Sequence, residues 1–119
     1  MPPPRYLSDL LAYPATYVFL AWQGRAAVGY LSAYRFPRVE RQGDQVYLFD
    51  IVVAPGARRR GMGRRLVESL LEACRADGVT LVWAGTALDN VAAQRTFEAV
   101  GGRRISETYV EYEFSLRGP

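Results

Sequence analysis

The stretch from Tyr47 to Leu71, YLFDIVVAPGARRRGMGRRLVESLL, constrains the fold more than any other part of this chain. An apolar run ends at Val53, Pro55-Gly56 makes a turn, and Arg58-Arg59-Arg60-Gly61-Met62-Gly63 opens a segment with helical spacing. Strand, glycine-bearing turn and helix N-terminus in succession point to an α/β arrangement and to an anion site. The first-turn amides of a helix have no intrahelical acceptor, and the macrodipole adds positive potential at that end. Gly61 and Gly63 let the backbone approach a ligand with no side chain between. The flanking arginines add positive charge, so the stretch reads as a site for a phosphate-bearing ligand. The plain alternative is a basic turn that caps a surface helix.

Two phosphate motifs are excluded. A Walker loop requires Gly-Lys-Ser/Thr, and the chain contains no lysine. A dinucleotide fingerprint requires G-x-G-x-x-G, and Leu66 stands where the third glycine would fall. The absence of histidine and lysine also removes His-based triads, ordinary His-bearing zinc sites and Schiff-base chemistry. Catalysis must therefore rest on carboxylates, tyrosines, Cys74, backbone dipoles and positioning, which suits a cofactor that already carries an activated group.

The order of elements follows from periodicity. Leu7, Leu10 and Leu11 have helical spacing, and Pro14 ends that short helix. Tyr17–Trp22 and Ala26–Tyr34 read as a hairpin about Gln23-Gly24-Arg25, and Arg35–Gln42 reads as a loop. Val46–Val53 is a long strand. The following helix puts Leu66, Val67, Leu70, Leu71 and Cys74 on one face and ends at Gly78, which makes Cys74 a core residue. Val79–Ala84 is a short strand, expected parallel to Val46–Val53 through a right-handed crossover. Asp89 or Asn90 caps a second helix that runs through Val100 to Gly101-Gly102, and Ile105–Leu116 holds one or two final strands. The fold class is α/β: a mixed, mostly antiparallel sheet with one central parallel pair.

At 119 residues without repeats or linkers, the chain reads as a single domain, 1–119. No apolar run reaches the ~20 residues of a membrane span, and Met1–Arg5 is no signal peptide, so a cytoplasmic protein without a membrane partner is expected. The single cysteine excludes an internal disulfide framework. The net charge of +3 is concentrated in Arg58, Arg59, Arg60, Arg64 and Arg65, whereas Glu107, Glu111 and Glu113 fall late in the chain. That clustering fits a pocket for one polyanionic cofactor better than a nucleic-acid stripe.

A second motif, Asn90-Val91-Ala92-Ala93-Gln94-Arg95-Thr96-Phe97-Glu98-Ala99-Val100-Gly101, has the form N-x-x-A-x-x-x-aromatic-x-x-x-G. Together with Arg58-x-x-Gly61-x-Gly63 it resembles the second half of the GNAT N-acetyltransferase superfamily. Tyr6-Leu7-x-x-Leu10-Leu11, Val28-Gly29-x-Leu31-x-Ala33-Tyr34, Pro37-x-x-Glu40 and Tyr47-x-x-Asp50 most resemble its aminoglycoside 3-N-acetyltransferase branch. The resemblance covers Tyr6 to about Gly101. Family members usually begin with a strand and a long helix before the position of Tyr6, a helix that forms part of the acceptor wall; a homodimer partner could supply that cover, or the true start could lie upstream. The aromatic of the last helix is commonly a tyrosine that protonates the departing CoA thiolate, and here it is Phe97, with Tyr109 or Tyr112 as substitutes.

The resemblance implies an acetyl-CoA cofactor and direct attack of a small-molecule amine on its thioester. It places the pantetheine against Ile51, Val52 and Val53, the pyrophosphate in the loop of Arg58, Arg59, Arg60, Gly61, Met62, Gly63 and Arg64, and the arm against Asn90, Ala93 and Phe97. A backbone N–H near Ile51–Val53 would polarise the thioester carbonyl, worth about 3–4 kcal/mol. From the residues themselves, Asp50 is the candidate general base or amine-orienting carboxylate, because a carboxylate in an apolar strand is costly unless it is used or paired. Its structural alternative is a contact with an arginine. Glu40 is a second catalytic or substrate-binding candidate and Glu111 a further substrate-binding one, each with plain solvation as the alternative. No metal site is expected. The other functional readings are a non-catalytic CoA-binding module, a protein Lys or N-terminal acetyltransferase, and a basic nucleic-acid binder.

Overall fold

The computed structural model describes Pro4, Arg5, Ser8 and residues 15–37, 43–105 and 112–116. Its strands are β1 (Thr16–Gln23), β2 (Ala26–Pro37), β3 (Asp44–Val53) and β4 (Leu81–Ala84), and its helices are α1 (Met62–Ala76) and α2 (Val91–Ala99). The sheet order is β1-β2-β3-β4, antiparallel across the first two pairings and parallel between β3 and β4.

Strand alternation sends Leu31, Ala33, Val46 and Leu48 to one face, where they meet Leu66, Val67, Leu70 and Cys74 of α1. The i, i+4 and i+8 spacing of Leu66, Leu70 and Cys74 makes the matching stripe on the helix. Leu31, Leu70, Val46 and Cys74 are fully buried, and burial raises the pKa of the Cys74 thiol, helped by the charge of Asp77. Cys74 is a core residue, as its place on the apolar stripe implies.

At the far end of α1, Tyr17 Oη donates to Asp77 Oδ2 at 2.7 Å, and Arg35 Nε donates to Asp44 Oδ2 at 2.6 Å. Arg35 also donates to the Asp77 carbonyl. These bonds tie β1, β2, the start of β3 and the end of α1 together.

Two sequence expectations change. Arg35, Phe36 and Pro37 continue β2 instead of opening a loop, because they pair with Val46, Gln45 and Asp44 of β3. Pro37, at the strand's last position, costs the ladder little. Ile105 and Tyr112–Ser115 carry no strand and Leu116 lies in a turn, so the described part of the C-terminal stretch is not sheet. The N-terminal positions Leu7, Leu10 and Leu11 lie outside the described residues. Among the described residues, no helix is long and apolar enough to cross a membrane.

Candidate active site

Two local departures from regularity build the site on β3. The first is a bulge: Ser32 pairs with Asp50 and Ala33 with Leu48, so Phe49 is left without a partner. An extra residue reverses the strand's alternation. Val46 and Leu48 face α1 before it, and Ile51 and Val53 pack towards the same core after it, while Phe49 and Asp50 both emerge on the other face. The second is a separation of strands. Pairing with β4 stops at Leu48–Ala84, whereas β3 runs on to Val53. The edge of Ile51, Val52 and Val53 that faces away from β2 is therefore not paired by β4.

A cleft of about 210 Å³ opens where the strands part. Asp50 and Ile51 line it from β3, Gly85 and Thr86 from the segment after β4, and Asn90, Ala93 and Phe97 from α2. Tyr30 Oη donates to Asp50 Oδ2 at 2.8 Å, and this hydrogen bond to the carboxylate, with burial second, raises the tyrosine pKa. The residue that meets Asp50 is thus a tyrosine two strand positions from Ser32, and not an arginine.

Beyond Val53 the chain makes a 3-10 turn at Pro55–Ala57, and Arg58 Nε donates back to the Val53 carbonyl at 2.9 Å. Arg59 then adopts φ 65°, a left-handed value uncommon for a residue with a Cβ. Gly61 at φ 76° is the N-cap of α1 and brings no side-chain cap, and the first turn holds no acidic residue. The amides of Met62, Gly63 and Arg64 consequently lack the side-chain acceptor that most N-termini recruit. Arg64 turns its side chain to Glu68 at 2.8 Å, leaving its contribution here to the main chain. Uncapped amides, a left-handed glycine and exposed arginines at one turn fit a diphosphate group.

On α2, Asn90 Oδ1 accepts from the Ala93 amide at 3.1 Å, so its carbonyl oxygen caps the helix. Gln94 Nε2 donates to the carbonyls of Leu88 and Ala87 and fixes the segment that enters the cleft. The helix ends in a Schellman arrangement: Gly102 N–H bonds the Phe97 carbonyl, Gly101 N–H bonds the Glu98 carbonyl, and Gly101 has φ 92°. Phe97 is partly buried against the core and turns an apolar ring to the cleft.

The structure thus brings Asp50, Ile51, Asn90, Ala93 and Phe97 to one cleft, with Val52, Val53 and the Arg58–Arg64 turn continuing from it along the chain. Glu40, Glu111 and Tyr109 lie outside the described residues. Tyr112 is 81% exposed and does not line the cleft. Tyr30, Thr86 and Gln94 were not legible as site residues; their signal is tertiary, set by the bulge and by the parting of β3 from β4.

The profile of the acetyltransferase (GNAT) family matches residues 1–101. The chain belongs to that family. It is 35% identical over 99 residues to the L-2,4-diaminobutyric acid acetyltransferase of Nocardia farcinica, covering 83% of this chain and 49% of that protein. A ribosomal-protein alanine N-acetyltransferase of Salmonella typhimurium is 38% identical over 58 residues, 49% of this chain and 39% of that one. The chain spans about half the length or less of these curated relatives. Among solved structures, an aminoglycoside acetyltransferase from an uncultured soil metagenomic sample, in complex with trehalose, superposes with a TM-score of 0.83 at 22% identity, over 98% of this chain and 76% of that one. An aminoglycoside N-acetyltransferase in complex with CoA superposes with a TM-score of 0.77 at 20% identity, over 93% and 87% of the two chains. These superpositions bear out the GNAT fold expected from the paired motifs.

Proposed function

We propose that this chain transfers the acetyl group of acetyl-CoA to a primary amine of a small, cationic molecule, by direct attack within one ternary complex. The observation that carries the reading is the parting of β3 from β4 after Leu48–Ala84, directly upstream of an uncapped helix N-terminus. The amides of Gly61, Met62, Gly63 and Arg64 would hold the diphosphate, with Arg58, Arg59 and Arg60 around it. The free edge of Ile51–Val53 would align the pantetheine, and Ala93 and Phe97 would bound it. Acetyl-CoA supplies the activated acyl group.

The remaining work falls to the chain's own groups. Asp50 orients the incoming amine and accepts its proton, and Tyr30 holds the carboxylate by one oxygen. A backbone N–H near Ile51–Val53 stabilises negative charge on the acyl oxygen, a contribution of about 3–4 kcal/mol. The new bond is N–C, the broken bond is C–S, the sulfur leaves with the electron pair, and the amine proton passes through Asp50 to solvent. Free thiols titrate near ~8.5, so a thiolate departs near neutral pH without a strong acid beside it. General acid catalysis is worth about 10²–10⁴-fold, so Phe97 in place of a hydroxyl slows such a reaction without abolishing it.

Thiol release from acetyl-CoA over a panel of amines tests the reading; release above background with at least one amine is expected, and none with any amine removes it. The apolar Phe97 ring in the cleft motivates a second reading, a CoA-binding module without turnover, which the same assay separates when CoA stabilises the fold yet no amine is acetylated.

A further inference from the structure

The sheet face opposite α1 carries a row of aromatic rings that the diphosphate turn does not use. Phe49 stands edge-on to Tyr34 at 5.8 Å and to Tyr47 at 6.1 Å, and Tyr47 lies tilted on Trp83 at 4.2 Å. The row is accessible: Phe49 is 62% exposed, Trp83 40% and Tyr34 37%. It also reaches the site, because Phe49 lines the same cleft as Asp50. The bulge is the cause, since it delivers Phe49 and Asp50 to this face as immediate neighbours.

Charge on this face is as informative as shape. By strand alternation the outward positions include Val18, Leu20 and Trp22 on β1; Tyr30, Ser32, Tyr34 and Phe36 on β2; Tyr47, Phe49 and Val52 on β3; and Leu81 and Trp83 on β4. Asp50 is the single charged side chain among the outward positions of the described strands. Tyr30 occupies its Oδ2, which leaves Oδ1 to face a ligand. A polyamine calls for several carboxylates, and the outward positions of the described strands supply Asp50 alone. A lone carboxylate beside aromatic faces complements one ammonium group on an apolar body, through charge, cation–π attraction and burial of the body on the rings.

We propose that the acceptor of this chain is a primary amine on an aryl or bulky alkyl body, with its nitrogen at Asp50 and its body over Phe49, Tyr34 and Tyr47. The inference rests on the transfer reaction proposed above and names the acceptor class for that same site.

The experiment compares 2-phenylethylamine, propylamine and glucosamine as acceptors for the full chain with acetyl-CoA, read by thiol release. A kcat/KM for phenylethylamine about tenfold or more above both others is expected, the size of one well-filled apolar contact. Phe49→Ala should bring phenylethylamine and propylamine to within about twofold of each other. Its exposed position makes the variant foldable, and an unchanged melting temperature verifies this. Glucosamine preferred over phenylethylamine, or an unchanged amine ratio in Phe49→Ala, overturns the aryl-amine assignment and leaves the transfer reaction standing. No release above background with any amine removes the transfer reading and this inference with it.

Discussion

Replacing Gly63 by alanine should stabilise the fold and weaken cofactor binding at once. A Cβ at this position would meet Thr96 Cγ2 at 3.6 Å, an ordinary contact, so the protein accommodates the methyl group without strain. Alanine is favoured over glycine by about 0.8–1.0 kcal/mol in a helix interior. Gly63 lies in the first turn of α1, where part of the backbone is unpaired, so about half of that gain, ~0.5 kcal/mol, is expected. For a domain of this size the melting temperature rises by about 2 °C. A diphosphate held by the first-turn amides must approach this backbone closely, and a methyl group there pushes it away. A tenfold or greater loss of CoA affinity is expected, about 1.4 kcal/mol. Scanning calorimetry of the free protein and titration calorimetry with CoA read the two effects separately. Because the signs are opposite, weakened binding cannot be blamed on damaged folding. Unchanged CoA affinity in Gly63→Ala would refute a diphosphate at this turn.

Asp50→Asn keeps an oxygen for the Tyr30 hydroxyl but removes the proton acceptor; kcat should fall by about tenfold or more with CoA affinity unchanged, and equal turnover would clear Asp50 of the role. Leu70→Ala empties a fully buried position against the sheet and should cost about 3 kcal/mol, seen as a lower urea midpoint at constant slope; a loss below about 1 kcal/mol would contradict the packing described. The Tyr17 pKa is pushed up from 10.0 to about 12, first by burial and then by its hydrogen bond to Asp77. A raised folded-state pKa means the folded chain keeps a proton that the unfolded chain loses, so this contribution is intact below pH 10.0 and is lost as pH rises towards about 12. Stability of the parent chain should decline more steeply across that window than stability of Tyr17→Phe, and parallel curves would contradict the Tyr17–Asp77 contact.

Where local chemistry decides, the sequence was enough to place the elements. The hairpin about Gly24, the apolar stripe of α1 with Cys74 in it and the parallel pairing of β3 with β4 all follow from periodicity, turn residues and crossover handedness, and the cap of α2 was narrowed to Asp89 or Asn90, of which the structure uses Asn90. The turn that leads into α1 was legible for the same reason, since its glycines and arginines are contiguous. The extension of β2 through Pro37 was hidden, because proline signals a loop and only the partner strand shows that pairing continues. The bulge at Phe49 was also invisible: an aromatic next to an aspartate reads equally well in either register. Tyr30 therefore could not be matched to Asp50, because their contact depends on which way that single extra residue turns the strand.

Titration calorimetry with CoA and with pantetheine, which has the same arm without the diphosphate, bears most directly on the central claim that the Gly61–Arg64 turn anchors the cofactor. Saturable uptake of CoA at one site, with no measurable heat from pantetheine at the same concentrations, is the result expected. Pantetheine bound as tightly as CoA, or no uptake of CoA, would contradict it.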